Sequence, residues 1–165
     1  MNQPLYQAAD VLDMAVQIEQ AGLAFYRGCA ASRAGENLKE LFGLLAKQEV
    51  GHTAVFTAMK EGLPHYELKE SFPGEAQEYV EALISDRVFP TESDAACAGE
   101  QVSDGFEAID LALRMEKQSI LFYSGIRDLV RSSEQDVMDR VIAEERSHIR
   151  KLLAVRRELE AGQKS

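Results

Sequence analysis

Residues 15–26 read AVQIEQAGLAFY, and residues 112–123, 97 positions later, read ALRMEKQSILFY. In both stretches apolar residues recur at three- and four-residue spacing around a lone glutamate, and both end in Phe-Tyr. Such spacing is typical of an amphipathic helix. A glutamate on the apolar face is unusual, because burying one unpaired charge costs several kcal/mol. The sequence therefore predicts two equivalent helices, each with a carboxylate directed into the core.

A second repeated element follows each stretch. Glu49-Val-Gly-His52 matches Glu145-Arg-Ser-His148 at an offset of 96, and the one-residue change of offset falls in a loop, where length varies freely. Residues three apart on a helix are neighbours on one face, so each Glu-x-x-His tetrad can direct two side chains at one centre. Each half of the chain thus supplies a lone glutamate and a Glu-x-x-His pair.

Apolar periodicity predicts four long helices, at residues 8–33, 36–61, 104–131 and 134–161. The third opens at Asp104, which has capping-box spacing to Glu107. Within the connecting segment, 62–103, we expect loop at 63–74, a short helix at 75–89 and loop again at 90–103. Two antiparallel hairpins, 8–61 and 104–161, joined by a long crossover make an all-α four-helix bundle. The whole chain, 1–165, is predicted to be a single domain.

Composition excludes several classes of protein. Of 165 residues, 45% are hydrophobic and 28% charged, and the net charge of -10 argues against nucleic-acid binding. The sequence contains no apolar run long enough to span a membrane and no secretory signal pattern, so we expect a cytoplasmic protein. Cys29 and Cys97 form no CxxC pair that could hold zinc or a rubredoxin-type iron, and each is expected to be a buried free thiol.

The repeat selects six candidate metal ligands: Glu19, Glu49, His52, Glu116, Glu145 and His148. Two divalent ions would balance four carboxylates and leave both histidines neutral. Oxygen and imidazole ligands without thiolate favour iron or manganese, with zinc possible. A single Glu-x-x-His is more often a surface pair, but two of the three histidines here occupy equivalent positions of the repeat. Glu144 is a further candidate, although its counterpart is Gln48 and it points about a quarter turn away from the ligand face.

Tyr26 and Tyr123 lie seven residues after the lone glutamates and share their helix faces. They are predicted either to hydrogen-bond the ligand carboxylates or to carry an oxidising equivalent. A core tyrosine whose hydroxyl has found a partner is the alternative. Gly22 and Ser119, one turn after the glutamates, are small enough to leave room for a metal or an oxygen ligand. His65 falls in a predicted loop and is given no role.

The paired A-x-x-x-E-x-x-x-x-x-F-Y and E-x-x-H elements resemble those of the ferritin-like di-iron proteins, and most of all the rubrerythrin branch. The resemblance covers the four long helices, about two-thirds of the chain. It implies a ferritin-like fold, the six residues above as iron ligands, and reduction of hydrogen peroxide in defence against oxidative stress. Two features depart from the family pattern: the CxxC pairs of a rubredoxin domain are absent, and Ser119 stands where a further glutamate is usual.

The leading functional prediction is a di-iron oxidoreductase that reduces hydrogen peroxide or dioxygen with electrons from a separate donor protein. The alternatives are a ferroxidase or iron-handling protein and a bundle that binds metal only structurally. The expected assembly is a homodimer, with no nucleic-acid or membrane partner.

Overall fold

The computed structural model describes residues 8–33, 36–62, 78, 82, 89–130 and 132–163. Across these residues the chain forms five α-helices and no strand: α1 (Ala8–Ala31), α2 (Glu36–Glu61), α3 (Glu92–Gln101), α4 (Gly105–Ile126) and α5 (Ser132–Gly162). The prediction of an all-α fold is confirmed. None of the described helices is both long and apolar enough to cross a membrane.

The four long helices form two hairpins, α1 with α2 and α4 with α5. At the start of α4 the side chain of Asp104 accepts hydrogen bonds from the backbone N–H groups of Phe106 and Glu107, at 2.8 and 2.9 Å. The Glu107 carboxylate accepts the return bond from the backbone N–H of Ser103, 3.2 Å away. This cap satisfies donors that a helix start leaves free, so the predicted beginning of this helix is right.

Helix α4 ends at Ile126, five residues before the predicted end. The Ile126 carbonyl accepts hydrogen bonds from the N–H groups of Leu129 and Val130, at 3.0 and 3.3 Å. These bonds close a turn that buries Val130 in the core. Gly125 lies just before this stop, but apolar residues continue at helical spacing from Ile126 to Leu129 and Val130, which is why periodicity alone extended the helix.

Helix α3 corrects the predicted loop at 90–103. Thr91 caps it by accepting a hydrogen bond from the N–H of Asp94 at 3.1 Å. The helix packs against α1 where Gly28 meets Gly99, and a Cβ atom on Gly28 would lie only 2.7 Å from the Ala96 carbonyl oxygen. Because the contact lets the two backbones approach closely, it stabilises a short helix of weak local pattern. The helix predicted at 75–89 falls almost wholly outside the described residues.

Two apolar clusters form the core, one towards each end of the bundle. The first includes Val11, Leu12, Phe56, Tyr123 and Met138. The second includes Phe25, Phe42, Leu45, Ile109 and Leu152. A layer of buried carboxylates and imidazoles lies between them, supplied by α1, α2, α4 and α5.

Candidate metal centre

The six residues selected from the repeat meet in this layer. Helices α1 and α4 each supply one glutamate, and α2 and α5 each supply a Glu-x-x-His pair. Every one of these residues is buried, with at most 4% of its surface exposed: Glu19, Glu49, His52, Glu116, Glu145 and His148. The structure therefore brings all six candidates together, while their role as ligands stays a prediction.

The side chains form two overlapping groups that could each hold one metal ion. One consists of Glu19, Glu49, His52 and Glu145, the other of Glu49, Glu116, Glu145 and His148, and in each the ligand atoms lie within 4.8 Å of one another. The repeat alone divided the residues into two separate triplets. In the folded protein Glu49 and Glu145 belong to both groups, so each is placed to bridge two ions.

Both imidazoles present Nδ1 to the carboxylates. For His52, Nδ1 lies 2.8 Å from Glu145 Oε1 and 3.2 Å from Glu19 Oε2. For His148, Nδ1 lies 3.0 Å from Glu145 Oε2 and 3.1 Å from Glu116 Oε1. The two rings are stacked, with centroids 5.6 Å apart. Nδ1 is consequently the nitrogen that each histidine would offer to a metal.

Two tyrosines connect the hairpins through the lone glutamates. The Tyr26 hydroxyl, from α1, donates a hydrogen bond to Glu116 Oε1 on α4, and the Tyr123 hydroxyl, from α4, donates one to Glu19 Oε1 on α1. Burial, together with the neighbouring carboxylates, raises the pKa of both phenols well above its ordinary value. Both hydroxyls thus remain protonated donors. The geometry suits the predicted contact with the ligand carboxylates.

In the metal-free centre the buried carboxylates and imidazoles shift one another's pKa values. Burial, reinforced by Glu19, raises the pKa of Glu49 well above its ordinary value, and burial raises that of Glu116 to about 8 although His148 opposes it. Burial also acts to raise the pKa of Glu145, but hydrogen bonds from His148 and His52 outweigh it and hold that pKa low. The neighbouring carboxylates outweigh burial at His148 and raise its pKa to about 9.

This donor set fits a pair of divalent cations. Even with both imidazoles protonated, four ionised carboxylates would leave two uncompensated negative charges in the core, and uncompensated buried charge is costly. Two divalent ions would supply four positive charges at the point where the oxygens and the two Nδ1 atoms converge. One glutamate from each of two helices and a Glu-x-x-His pair from each of the other two is also the ligand pattern of ferritin-like di-metal carboxylate sites.

A small cavity adjoins the carboxylates between α1 and α4. It has a volume of about 10 Å³ and is lined, among others, by Gly22, Tyr26, Glu49, Phe89, Pro90, Glu116, Ser119 and Glu145. Such a volume holds roughly one water-sized molecule. The two small residues singled out in the sequence, Gly22 and Ser119, both line this cavity.

Glu144 contacts the centre from outside. Its Oε2 lies 2.8 Å from Nε2 of His52, the nitrogen that faces away from the other carboxylates. It therefore does not join either ligand group, and the predicted turn away from the ligand face accounts for that. The sequence does not predict its contact with His52 on α2, because the pattern of α5 does not show which residue of a neighbouring helix an outward side chain will contact. His65 lies outside the described residues.

Comparison with known proteins identifies the family and the fold that this chain resembles. The rubrerythrin family model matches residues 10–156. A crystal structure from Thermotoga maritima, of a protein provisionally described as a ferritin-like diiron-carboxylate protein, superposes with a TM-score of 0.68 and 29% sequence identity, covering 95% of this chain and 99% of that one. A search of curated proteins finds no match. The likeness confirms the predicted ferritin-like fold.

Proposed function

The chain belongs to the rubrerythrin family, and from this membership and the geometry of the centre we propose a di-iron oxidoreductase. In this proposal the protein reduces hydrogen peroxide or dioxygen with electrons from a separate donor protein. The observation that carries it is the pair of overlapping ligand groups that share Glu49 and Glu145. Two adjacent iron ions, when bound, supply one electron each, which matches the two electrons needed to cleave an O–O bond.

The protein side chains have distinct roles in the proposal. His52 and His148 would bind metal through Nδ1, Glu19 and Glu116 would each hold one of the two ions, and Glu49 and Glu145 would contribute to both sites. The tyrosine hydroxyls fix the end carboxylates in place by hydrogen bonds from the opposite hairpin. Orienting contacts of this kind hold ligands in the productive geometry. Manganese or zinc would fit the same donors.

The cavity supports a small substrate. With room for roughly one water-sized molecule, it favours an oxidant as small as hydrogen peroxide or dioxygen over an organic substrate. Reducing hydrogen peroxide to two waters consumes two electrons and two protons. Tyr26 lines the cavity, and its hydroxyl, kept protonated by its raised pKa, donates to Glu116 and so holds that carboxylate beside the cavity.

The proposal is tested by loading the protein anaerobically with Fe²⁺, adding stoichiometric hydrogen peroxide and following the visible spectrum. One peroxide should oxidise two irons rapidly, and continued turnover should require an added reductant. Iron-loaded Glu40→Ala, altered at an exposed position of the same helix α2, is the matched control and should react like the wild type. Two bound irons that peroxide leaves reduced would refute the proposed reaction.

The same preparation separates oxidoreductase from iron-handling activity. We propose that the protein is a homodimer retaining two irons per chain. Aerobic Fe²⁺ additions followed by desalting should therefore leave no more than two irons bound per chain. The mass of the protein in solution should be that of two chains. Retention of many irons per chain in a much larger assembly would favour iron storage instead.

A further inference from the structure

The two histidines of the centre differ at the nitrogen that faces outward. Nε2 of His52 lies 2.8 Å from a carboxylate oxygen of Glu144. Nε2 of His148 is completely buried and has no hydrogen-bond partner among the residues that the structure describes. The contacts of the two rings at Nδ1 are closely similar. The two halves of the centre therefore differ in the outer contacts, those made by Nε2.

The repeat explains why only one histidine has this contact. Gln48 occupies the position equivalent to Glu144, one residue before the glutamate of its own Glu-x-x-His pair. Its amide oxygen accepts a hydrogen bond from Nζ of Lys151, at 2.7 Å, on α5. The Gln48 amide carries no charge, and its oxygen already accepts a hydrogen bond from the Lys151 ammonium group. Among the described residues, the half of the centre around His148 therefore has no outer carboxylate.

An outer carboxylate changes how a histidine binds metal. A neutral imidazole carries one N–H, and a carboxylate acceptor at Nε2 holds that proton there and leaves the Nδ1 lone pair free for the ion. The contact also fixes the ring orientation and makes the ligand more basic, and losing such a contact commonly costs roughly 10- to 100-fold in metal affinity. In the part of the chain that the structure describes, no carboxylate gives the buried Nε2 of His148 such support.

We propose that Glu144 is a positioning residue that makes the His52 end of the centre the tighter metal site, so that the two ions bind with unequal affinity. The inference rests on the proposed ligand set. Glu144 lies in the wall of a groove between α2 and α5, which Gly51, Val55 and Arg140 also line. Since 54% of its side chain is exposed, removing it opens no cavity in the core. A change in metal affinity can therefore be separated from a change in folding.

The test is a titration of metal-free protein with Co²⁺, followed by its visible absorption and by competition with a chelator. The wild type should bind two ions in two resolved steps. Glu144→Ala should weaken the tighter step roughly 10- to 100-fold, and Glu144→Gln, which keeps an acceptor without charge, should fall between. Gln48→Ala, the matched control in the other half, should leave the His148 site unchanged. Thermal unfolding of the metal-free variants should match that of the wild type.

A second cycle shows whether Glu144 acts through His52. Added to His52→Ala, the Glu144→Ala change should cost no further affinity, because the ring that it orients is gone. Added to His148→Ala, it should weaken the ion that remains. Equal weakening of both wild-type ions, or no weakening, would overturn the inference while leaving the di-metal site intact. A wild type that binds no Co²⁺ would instead remove the ligand assignment on which both proposals rest.

Discussion

The two halves of the metal centre are nearly identical on the inside and different on the outside. Each contributes a lone glutamate, a Glu-x-x-His pair and a tyrosine that donates to the other half. Outside this set, one histidine is supported by Glu144, whereas the equivalent Gln48 is engaged by Lys151. The comparison teaches that charge balance constrains the inner residues of both halves, while positions one contact further out are free to diverge.

The largest expected effect comes from breaking a residue that both halves share. Glu49 belongs to both ligand groups, whereas Glu19 belongs to one. Glu49→Ala should therefore remove both ions from protein purified under metal-replete conditions, and Glu19→Ala should weaken mainly one. Metal analysis of the two variants against Glu40→Ala checks the difference. Two tightly retained ions in Glu49→Ala would show that the glutamate does not bridge.

A smaller effect should appear when the metals are removed and the pH is raised. The pKa of Glu116 is raised to about 8 and that of His148 to about 9 in the folded metal-free protein. A group whose pKa is higher in the folded than in the unfolded state stabilises the folded protein at pH values below its unfolded pKa. That stabilisation is lost as the pH rises through the folded pKa. The melting temperature of metal-free protein should therefore fall between about pH 5 and 9, by on the order of 5 °C.

The metal-loaded protein provides the contrasting measurement in the same pH series. Metal binding requires deprotonated carboxylates and neutral imidazoles, so metal affinity rises with pH. The melting temperature of loaded protein should then hold or increase over the range in which that of the metal-free protein falls. Parallel curves for the two forms would mean that the metal and the protons do not compete for the same groups.

The smallest effect tests the inner symmetry itself. Tyr26→Phe and Tyr123→Phe each remove one hydroxyl that donates to a buried carboxylate and keep the ring in place. Loss of such a bond costs about 1–3 kcal/mol, and the two losses of unfolding free energy should be equal within about 0.5 kcal/mol. Denaturant unfolding of the metal-free variants measures both. A clear inequality would show that the asymmetry reaches the inner contacts.

Much of the fold was predictable because its signals are local. The bounds of α2 agree with the prediction and the start of α4 follows from Asp104, since periodicity and capping depend on residues within one or two turns. Helix α3 was missed, because its stability depends on the contact of Gly99 with Gly28, about seventy residues earlier. No pattern within residues 92–101 shows that contact.

The sequence by itself determined which residues gather at the centre. The duplicated glutamates and Glu-x-x-His pairs lie on apolar helix faces, and an apolar face must turn inward whatever the details of packing. Only the tertiary structure decided that Glu49 and Glu145 are shared, that each tyrosine reaches the opposite hairpin, and that Glu144 reaches His52. These contacts depend on the lateral spacing and rotation of neighbouring helices, which are set by packing among many side chains and not by periodicity along one helix.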